Sequence, residues 1–569
     1  MAAVFTPLAR TGSANFLGDE YVDAWGTQWF YWFVAHQFAV GESIARTNLL
    51  FFPWGKEIYL HTGGNVLDAV LAAPMRWVLG PVAGYNAWVV TVVAWNAFAM
   101  RSLARSLVRD EVAAALAGVF FAFNPFTLHE LGDGRPTQAL QAFLVLFILD
   151  WLRAETSRGA AIRAGVWLAL AGLTYWYFAI FAGIVAGVVA ILDLRKPGRW
   201  GAIARRALAT GIACVLTLPF TLPMLSSSQV PGLLKVEDWT WTTWSPTTAE
   251  GMNIGVYVFD LFDRVSGFWA LKSDGVLGFI PEDHNLFWCQ IGLAVVGLMF
   301  AGRFRVAVGV IMMTALVIAS GPTFEGYPNV PYLTMVWTFR VMRRLWWPSR
   351  ALVMVEVGLA MASAFAFAAV RRHPRARVAM VVLLVPAWIA ELSDASLRPM
   401  GTWPGAIPAG YKCLSETTEG AIIELPYAHT QAHLYYQTAH GRPIFGGMVE
   451  DNPLLAPPEQ VTFREKNTFM ALLLDAAAED NLPQVYDEAD RTLMHEMGYR
   501  YVLMDKHAYQ LHSDDTPVID AWKNGKMRVV RNTLLQLCGG PVFEDEDTVI
   551  FAPWGDAAPC PDREGARTK

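Results

Sequence analysis

Residues 350–370 read RALVMVEVGLAMASAFAFAAV, an arginine followed by twenty residues in which Glu356 is the one ionisable side chain. A helix rises about 1.5 Å per residue and needs roughly 20 apolar residues to cross the hydrocarbon core of a bilayer, so this stretch predicts a transmembrane helix. A carboxyl left alone inside such a helix is costly, and Glu356 is expected to pair with a nearby arginine.

Nine further apolar runs repeat the pattern, at about Tyr85–Met100, Val112–Phe126, Pro136–Leu152, Ile162–Thr174, Tyr175–Leu192, Ile203–Leu222, Asn285–Ala301, Phe304–Ser320 and Ala376–Leu392. With 54% hydrophobic residues and a mean hydropathy of +0.32 over 569 residues, the chain reads as a predominantly α, polytopic membrane protein of about ten transmembrane helices. Several runs are short, which predicts tilted, broken or re-entrant segments.

Arginines set the orientation, because basic connections stay on the cytoplasmic side. Clusters at Arg101–Arg109, Arg153–Arg163, Arg195–Arg206, Arg303–Arg305 and Arg371–Arg377 mark alternate connections. The intervening ones, Leu128–Arg135, Ser226–His284 and Gly321–Trp347, are then extracytoplasmic, as is everything after Leu392. Three regions follow: 1–84 as a first extracytoplasmic loop, 85–392 as the membrane domain, and 393–569 as a soluble α/β domain on the periplasmic side of a bacterial inner membrane. A loop at 1–84 on that side implies a further helix upstream, or else a crossing by Trp25–Val40. Trp25, Trp29, Trp32, Phe33 and His36 recur at helical spacing, which fits a helix lying in the interface.

The tail changes composition. Ala421–Leu425, Tyr499–Met504, Met527–Val530 and Val549–Phe551 read as strands, and Glu465–Ala478 and Asp487–Met497 as helices. Cys413, Cys538 and Cys560 lie there, which in an oxidising compartment allows one disulfide and one spare thiol. His429, His433 and His440 fall in what reads as a strand and turn, and no metal site is assigned. Tryptophans in the outer connections, Trp239, Trp241, Trp244 and Trp269 among them, read as interface anchors by default, with a ligand-stacking acceptor groove as the alternative reading.

The sequence has no phosphate-binding glycine loop, dinucleotide fingerprint, zinc-protease motif or nucleophile elbow. A net charge of −6 without a long basic tract argues against a nucleic-acid partner.

Several phrases together resemble a known group. Gly18-Asp19-Glu20, Phe52-Pro53-Trp54-Gly55, His61-Thr62-Gly63-Gly64-Asn65, Asn124-Pro125-Phe126 before Gly132-Asp133-Gly134, Arg344-Leu345-Trp346-Trp347-Pro348-Ser349-Arg350, Glu424-Leu425-Pro426 and Gln437–Ile444 stand in an order similar to GT-C membrane glycosyltransferases of the YfhO-like branch. The resemblance implies transfer of a sugar from a polyprenyl-phosphate carrier to a glycan, lipid or protein acceptor on the outer face. It also implies an acidic residue in the first outer loop, a position matched by Asp19, with Glu20 and Asp23 beside it.

The chemistry asks for such a group on its own account. A hydroxyl is a weak nucleophile at neutral pH, and a carboxylate that takes its proton contributes roughly 10²–10⁴ in rate. Asp19 is the expected base, with Glu20 and Asp23 as neighbours and Glu130 and Asp133 as second-loop candidates. A leaving phosphate gathers charge that forked guanidinium groups stabilise; Arg135, Arg340, Arg343, Arg344 and Arg350 are the candidates, with snorkelling to lipid headgroups as their plain alternative. His61, His129 and His284 also fall outside, and a divalent metal is left open as a cofactor. A transporter would show paired mid-membrane charges and repeats, which are not evident; a non-catalytic envelope scaffold is the other rival.

Overall fold

The computed structural model describes residues 4–8, 12–20, 22–59, 66–194, 199–226, 288–319, 323–324, 327–338, 348–394, 400–417, 419–427, 432–448, 456–474, 486–507, 525 and 527–555. The chain divides into two compact units. One comprises Met1–Asp19, Gly63–Ser226 and Val230–Thr402; the other comprises Glu20–Thr62, Ser227–Gln229 and Trp403–Lys569. The stretch 1–84, expected as one loop, is thus shared between them.

The first described helix, α1 (Val22–Val40), belongs to the second unit. The first unit is built of helices: α2 (Val66–Leu79), α3 (Pro81–Val108), α4 (Glu111–Ala122), α5 (Pro125–Gly132), α6 (Ala142–Arg153), α7 (Arg158–Thr174), α8 (Trp176–Asp193), α9 (Arg199–Ser226), α10 (Trp288–Phe300), α11 (Arg305–Ala319), α12 (Leu352–Ala369) and α13 (Pro374–Asp394). The described part of each of the ten apolar runs is largely helical, and Val112–Phe126 spans α4 and the start of α5. Among the described residues, four stretches are both long and apolar enough to cross a membrane: Pro81–Val108, Glu111–Gly132, Arg199–Leu222 and Pro348–Ala369. Trp176–Ile191, Trp288–Phe300 and Arg305–Ala319 are apolar but shorter.

Glycines let these helices touch backbone to backbone, as small residues do between membrane helices. A Cβ on Gly118 of α4 would stand 2.6 Å from the Ala97 carbonyl of α3, and one on Gly165 of α7 would stand 2.5 Å from the Ala209 carbonyl of α9. Gly297 of α10 lies still tighter against the Ala362 carbonyl of α12. The turn between α3 and α4 is fixed by Arg109 in the left-handed region (φ 53°) and by Asp110, whose side chain accepts from the Ala113 N–H at 2.9 Å and pairs with Arg377. Glu356 of α12 is buried, and its Oε1 has no hydrogen-bond partner. The expected arginine pair is not formed among the described residues, because Arg350, the basic residue at the head of the same helix, is engaged by Glu130.

The second unit centres on a four-stranded sheet of order β1-β2-β4-β3, with β1 (Ala421–Leu425), β2 (Tyr499–Asp505), β3 (Phe543–Glu544) and β4 (Thr548–Phe551). Strands β1 and β2 run parallel, with Ile423 opposite Val502; the other pairs are antiparallel, with Leu503 opposite Ile550. Ile423, Leu425, Phe445, Val502, Met504 and Phe551 are core residues beside this sheet. Met527–Val530 is helical rather than a strand, within α15 (Met527–Cys538); helix α14 spans Ala432–His440. Four residues were too few to separate alternation from helical spacing; over the longer window Val530 and Leu534, four apart, form the buried face. His433 and His440 likewise lie on helix α14 rather than in a strand and turn. The helix expected over Glu465–Ala478 is interrupted at Asn467, which separates Pro458–Lys466 from Thr468–Leu474.

The α1 stripe is covered by protein at Trp25, Trp29 and Phe33 and partly open at Trp32 and His36. Trp25, Trp29 and Phe33 are buried, Trp29 stacks on Phe33 at 4.8 Å between centroids, and its indole N–H donates to Gln437 Oε1 of α14 at 2.6 Å. The Gln437 amide in turn donates to the carbonyls of Leu49 (2.9 Å) and Arg442 (2.7 Å). Phe51 and Phe52 N–H groups donate to the Gly446 and Ile444 carbonyls, and Lys56 Nζ to the Met448 carbonyl at 2.9 Å. These bonds make Glu20–Thr62 an integral part of the unit formed by the tail. Cys413 is disulfide-bonded, whereas Cys538 is a free thiol; Cys560 lies outside the described residues.

Candidate active site

Asn124 creates the local structure from which the site grows. Its side chain accepts the Thr127 N–H at 2.7 Å and donates to the Phe121 carbonyl at 2.6 Å, and Pro125 occupies the first helical position. This cap starts α5 as a new helix at the end of α4. Helix α5 stops after two turns, and Gly134, with φ of 75°, reverses the chain so that the Arg135 N–H reaches the Glu130 carbonyl at 2.7 Å. His129, Glu130, Asp133 and Arg135 are gathered by that turn.

Their side chains form one charged cluster. Arg135 Nε donates to Glu130 Oε2 at 2.6 Å, and its Nη2 pairs with Asp133 Oδ2. His129 Nε2 lies 3.2 Å from the same Asp133 oxygen and 3.3 Å from Arg135 Nη2. Arg350, in the single 3₁₀ turn that leads into α12, pairs through Nη1 with the other Glu130 oxygen. Glu130 is fully buried, and Arg135 and Arg350 are 8% and 6% exposed. Both Glu130 oxygens therefore face guanidinium groups, and Asp133 serves the same cation.

Asp19 reaches the same turn from a distant part of the chain. Its N–H donates to the Gly132 carbonyl at 2.7 Å, and the N–H of Gly18 donates to the Gly401 carbonyl at 2.9 Å. Gly18 has φ of 106°, and a Cβ there would stand 2.6 Å from the Gly132 oxygen, so both conformation and space require glycine. The Asp19 side chain keeps access to solvent, yet the protein around it displaces enough water to raise its carboxyl pKa above the ordinary 3.8.

Of the sequence candidates, Asp19, Glu130, Asp133, Arg135 and Arg350 belong to this unit. Glu20 and Asp23 belong to the other; burial raises the Glu20 pKa, and Asp23 lies in the first turn of α1. Arg340, Arg343, Arg344, His61, His284, His429, Trp239, Trp241, Trp244 and Trp269 lie outside the described residues. The glycines at 132 and 401 were not singled out as site residues, and no local pattern marks position 401. Among the described residues no group of three or more His, Cys, Asp or Glu side chains is placed to hold a metal ion. His129 and Asp133, the nearest such donors, share their space with the Arg135 cation, so these residues do not fit a metal site.

No protein-family model and no curated protein matches the chain. Solved structures do match. The oligosaccharyltransferase of Archaeoglobus fulgidus, solved in complex with Zn and sulfate, aligns with 86% of this chain and 64% of its own, at 14% identity and a TM-score of 0.50. The arabinofuranosyltransferase AftD from Mycobacteria aligns with 89% of this chain and 35% of its own, at 15% identity and a TM-score of 0.56. The chain therefore spans about two-thirds of the one and a third of the other. At such identities the likeness is one of fold, shared with an oligosaccharyltransferase and an arabinofuranosyltransferase.

Proposed function

We propose that this protein is an integral-membrane glycosyltransferase that passes a sugar from a polyprenyl-phosphate carrier to an acceptor hydroxyl on the extracytoplasmic face, with Asp19 as general base. The observation that carries this reading is the solvent-open carboxylate of Asp19, whose backbone is hydrogen-bonded to the turn that carries the buried Arg135–Glu130–Arg350 cluster.

In the reaction the acceptor oxygen attacks the anomeric carbon, the bond from that carbon to the phosphate oxygen breaks, and polyprenyl phosphate departs with the electron pair. Asp19 takes the acceptor proton as the new bond forms. Its raised pKa makes it a better proton acceptor than an ordinary carboxylate. The role assigned to Arg350 and Arg135 is to stabilise charge on the departing phosphate, with Glu130 and Asp133 holding the guanidinium forks in place. Arg340, Arg343 and Arg344 are further candidates for the same role.

An apolar slot lined by Ile148, Val185, Ile311, Met354, Val357 and Met361 runs along α12, beginning one turn beyond Arg350. The ten helical apolar runs are read as the membrane-crossing set, with the alternating arginine clusters on the cytoplasmic side of a bacterial inner membrane. The disulfide at Cys413 supports an oxidising, periplasmic location for the tail. The motif order supports the YfhO-like branch.

Transfer from a panel of polyprenyl-phosphate sugars in membranes tests the proposal. Native protein is expected to transfer label, and Asp19→Asn to accumulate normally without transferring it. Equal transfer by both forms would remove Asp19 as the base.

A further inference from the structure

Gly401 meets the carboxylate of Asp19 more closely than any substituted residue could. A Cβ built on Gly401 falls on Asp19 Oδ1, with Asp19 Cγ at 2.9 Å and the Gly18 carbonyl at 3.3 Å. The other glycine beside this side chain is different: a Cβ on Gly132 would stand 3.8 Å from Asp19 Oδ2, in ordinary contact. Gly401 does not have a positive φ, so the obstacle to an added side chain there is one of space, and the nearest atoms in its way belong to the rotatable Asp19 carboxylate. The same residue is bonded to this segment through its carbonyl, which accepts the Gly18 N–H at 2.9 Å.

From this geometry we infer that Gly401 is a positioning residue for the transfer reaction. Its missing side chain forms one wall of the seat that holds the Asp19 carboxylate, while its carbonyl fixes the preceding residue. The inference rests on the Asp19 reading above and deepens it. A methyl group at 401 turns the carboxylate out of that seat without touching Arg135, Arg350 or the apolar slot. The proton-accepting step is then impaired and donor binding is left intact.

The experiment uses the full chain in lipid nanodiscs in four forms: native, Gly401→Ala, Asp19→Ala and the double variant, with Gly183→Ala as a control because a Cβ there meets nothing within 4 Å. Undecaprenyl-phosphate sugars serve as donors. Gly401→Ala is expected to lower kcat by about 10²-fold, the scale of a 1 Å misplacement, and to leave the donor KM within about twofold. Added to Asp19→Ala it is expected to lower kcat no further, because its effect passes through the carboxylate.

A second readout needs no donor. The rate at which a water-soluble carbodiimide labels Asp19, followed by mass spectrometry, is expected to rise in Gly401→Ala and to stay native in Gly183→Ala. An inactive Asp19→Ala together with native-like kcat and native-like labelling in Gly401→Ala overturns the positioning role and leaves the base standing. Losses that multiply in the double variant mark a purely structural effect and also overturn it. Full activity in Asp19→Ala, or no transfer by the native chain, overturns the base reading and this inference with it.

Discussion

Glu130 and Arg350 form an ion pair between the end of one membrane helix and the head of another, with both side chains almost wholly removed from water. The second guanidinium on the same carboxylate, from Arg135, makes Glu130 a bridge between two cations. Taking such charges out of water is expensive, and mutual contact is what offsets the cost.

Removing the bridge is therefore expected to damage the fold before the chemistry. Glu130→Ala leaves two buried guanidinium groups without their shared counter-charge and should destabilise the protein by about 3–5 kcal/mol. Glu130→Gln keeps an acceptor but not the charge, and should fall between Ala and native. Thermal unfolding in detergent checks the order; an Ala variant as stable as native would contradict the bridging role.

Arg350→Lys separates charge from geometry. Lysine keeps the positive charge but loses the planar fork, so it cannot address a carboxylate and a phosphate together in the same way. A fall in kcat/KM of about tenfold or more is expected, with the folded protein retained. Unchanged kinetics would assign Arg350 a structural role alone.

The pH dependence of transfer should report Asp19. Burial raises its pKa above 3.8, and the base works only when ionised. Activity is therefore expected to be full well above that pKa and to fall as pH drops through it, with a midpoint above 3.8. A kcat profile on the acid side measures this, and a midpoint at or below the ordinary value would count against the assignment.

Stability of the second unit carries a different signature. Burial lifts Asp505, at the end of β2, to about 6, outweighing the hydrogen bond from the His507 N–H at 2.7 Å. The folded form holds this proton more tightly than the unfolded chain, so the contribution is fully present below about pH 4 and is lost as pH rises through about 6. The swing is at most about 3 kcal/mol. Amide exchange in Tyr499–Asp505, corrected for intrinsic rates, should show protection falling across that window, and Asp505→Asn should flatten the trend.

Gly297→Ala tests helix packing inside the membrane unit. The added methyl would overlap the Ala362 carbonyl, a backbone atom that cannot rotate away, whereas the same change at Gly292 meets nothing within 4 Å. A loss of about 1–3 kcal/mol or more is expected for the first and almost none for the second. Equal melting temperatures would argue that α10 and α12 part easily.

Much of the membrane unit was legible in the sequence, because an apolar run long enough for a bilayer, such as the one from Ala351 to Val370, needs no partner to be recognised. The helical spacing of Trp25, Trp29 and Phe33 was legible too, but periodicity reports a buried face without naming what covers it; the cover here includes Gln437. The closeness of Glu130, Asp133 and Arg135 followed from one turn of chain, whereas the arrival of Arg350 on Glu130 depends on how two helices pack. Gly401 carried no signal at all, since a glycine chosen for another residue's space looks like any loop glycine.

The second unit is discontinuous, and that fact bears on how it is made. Residues 20–62 leave the ribosome long before 403–569 exist, and at roughly 5–20 residues per second the interval is tens of seconds. Through that interval the indole of Trp29 lacks Gln437 and the α1 stripe lacks its cover, so the nascent protein carries an exposed aromatic helix until its last third is synthesised. Biogenesis of this protein is therefore most vulnerable at its beginning and is completed only at its end, and a tail supplied as a separate polypeptide could in principle rescue a chain stopped after residue 402.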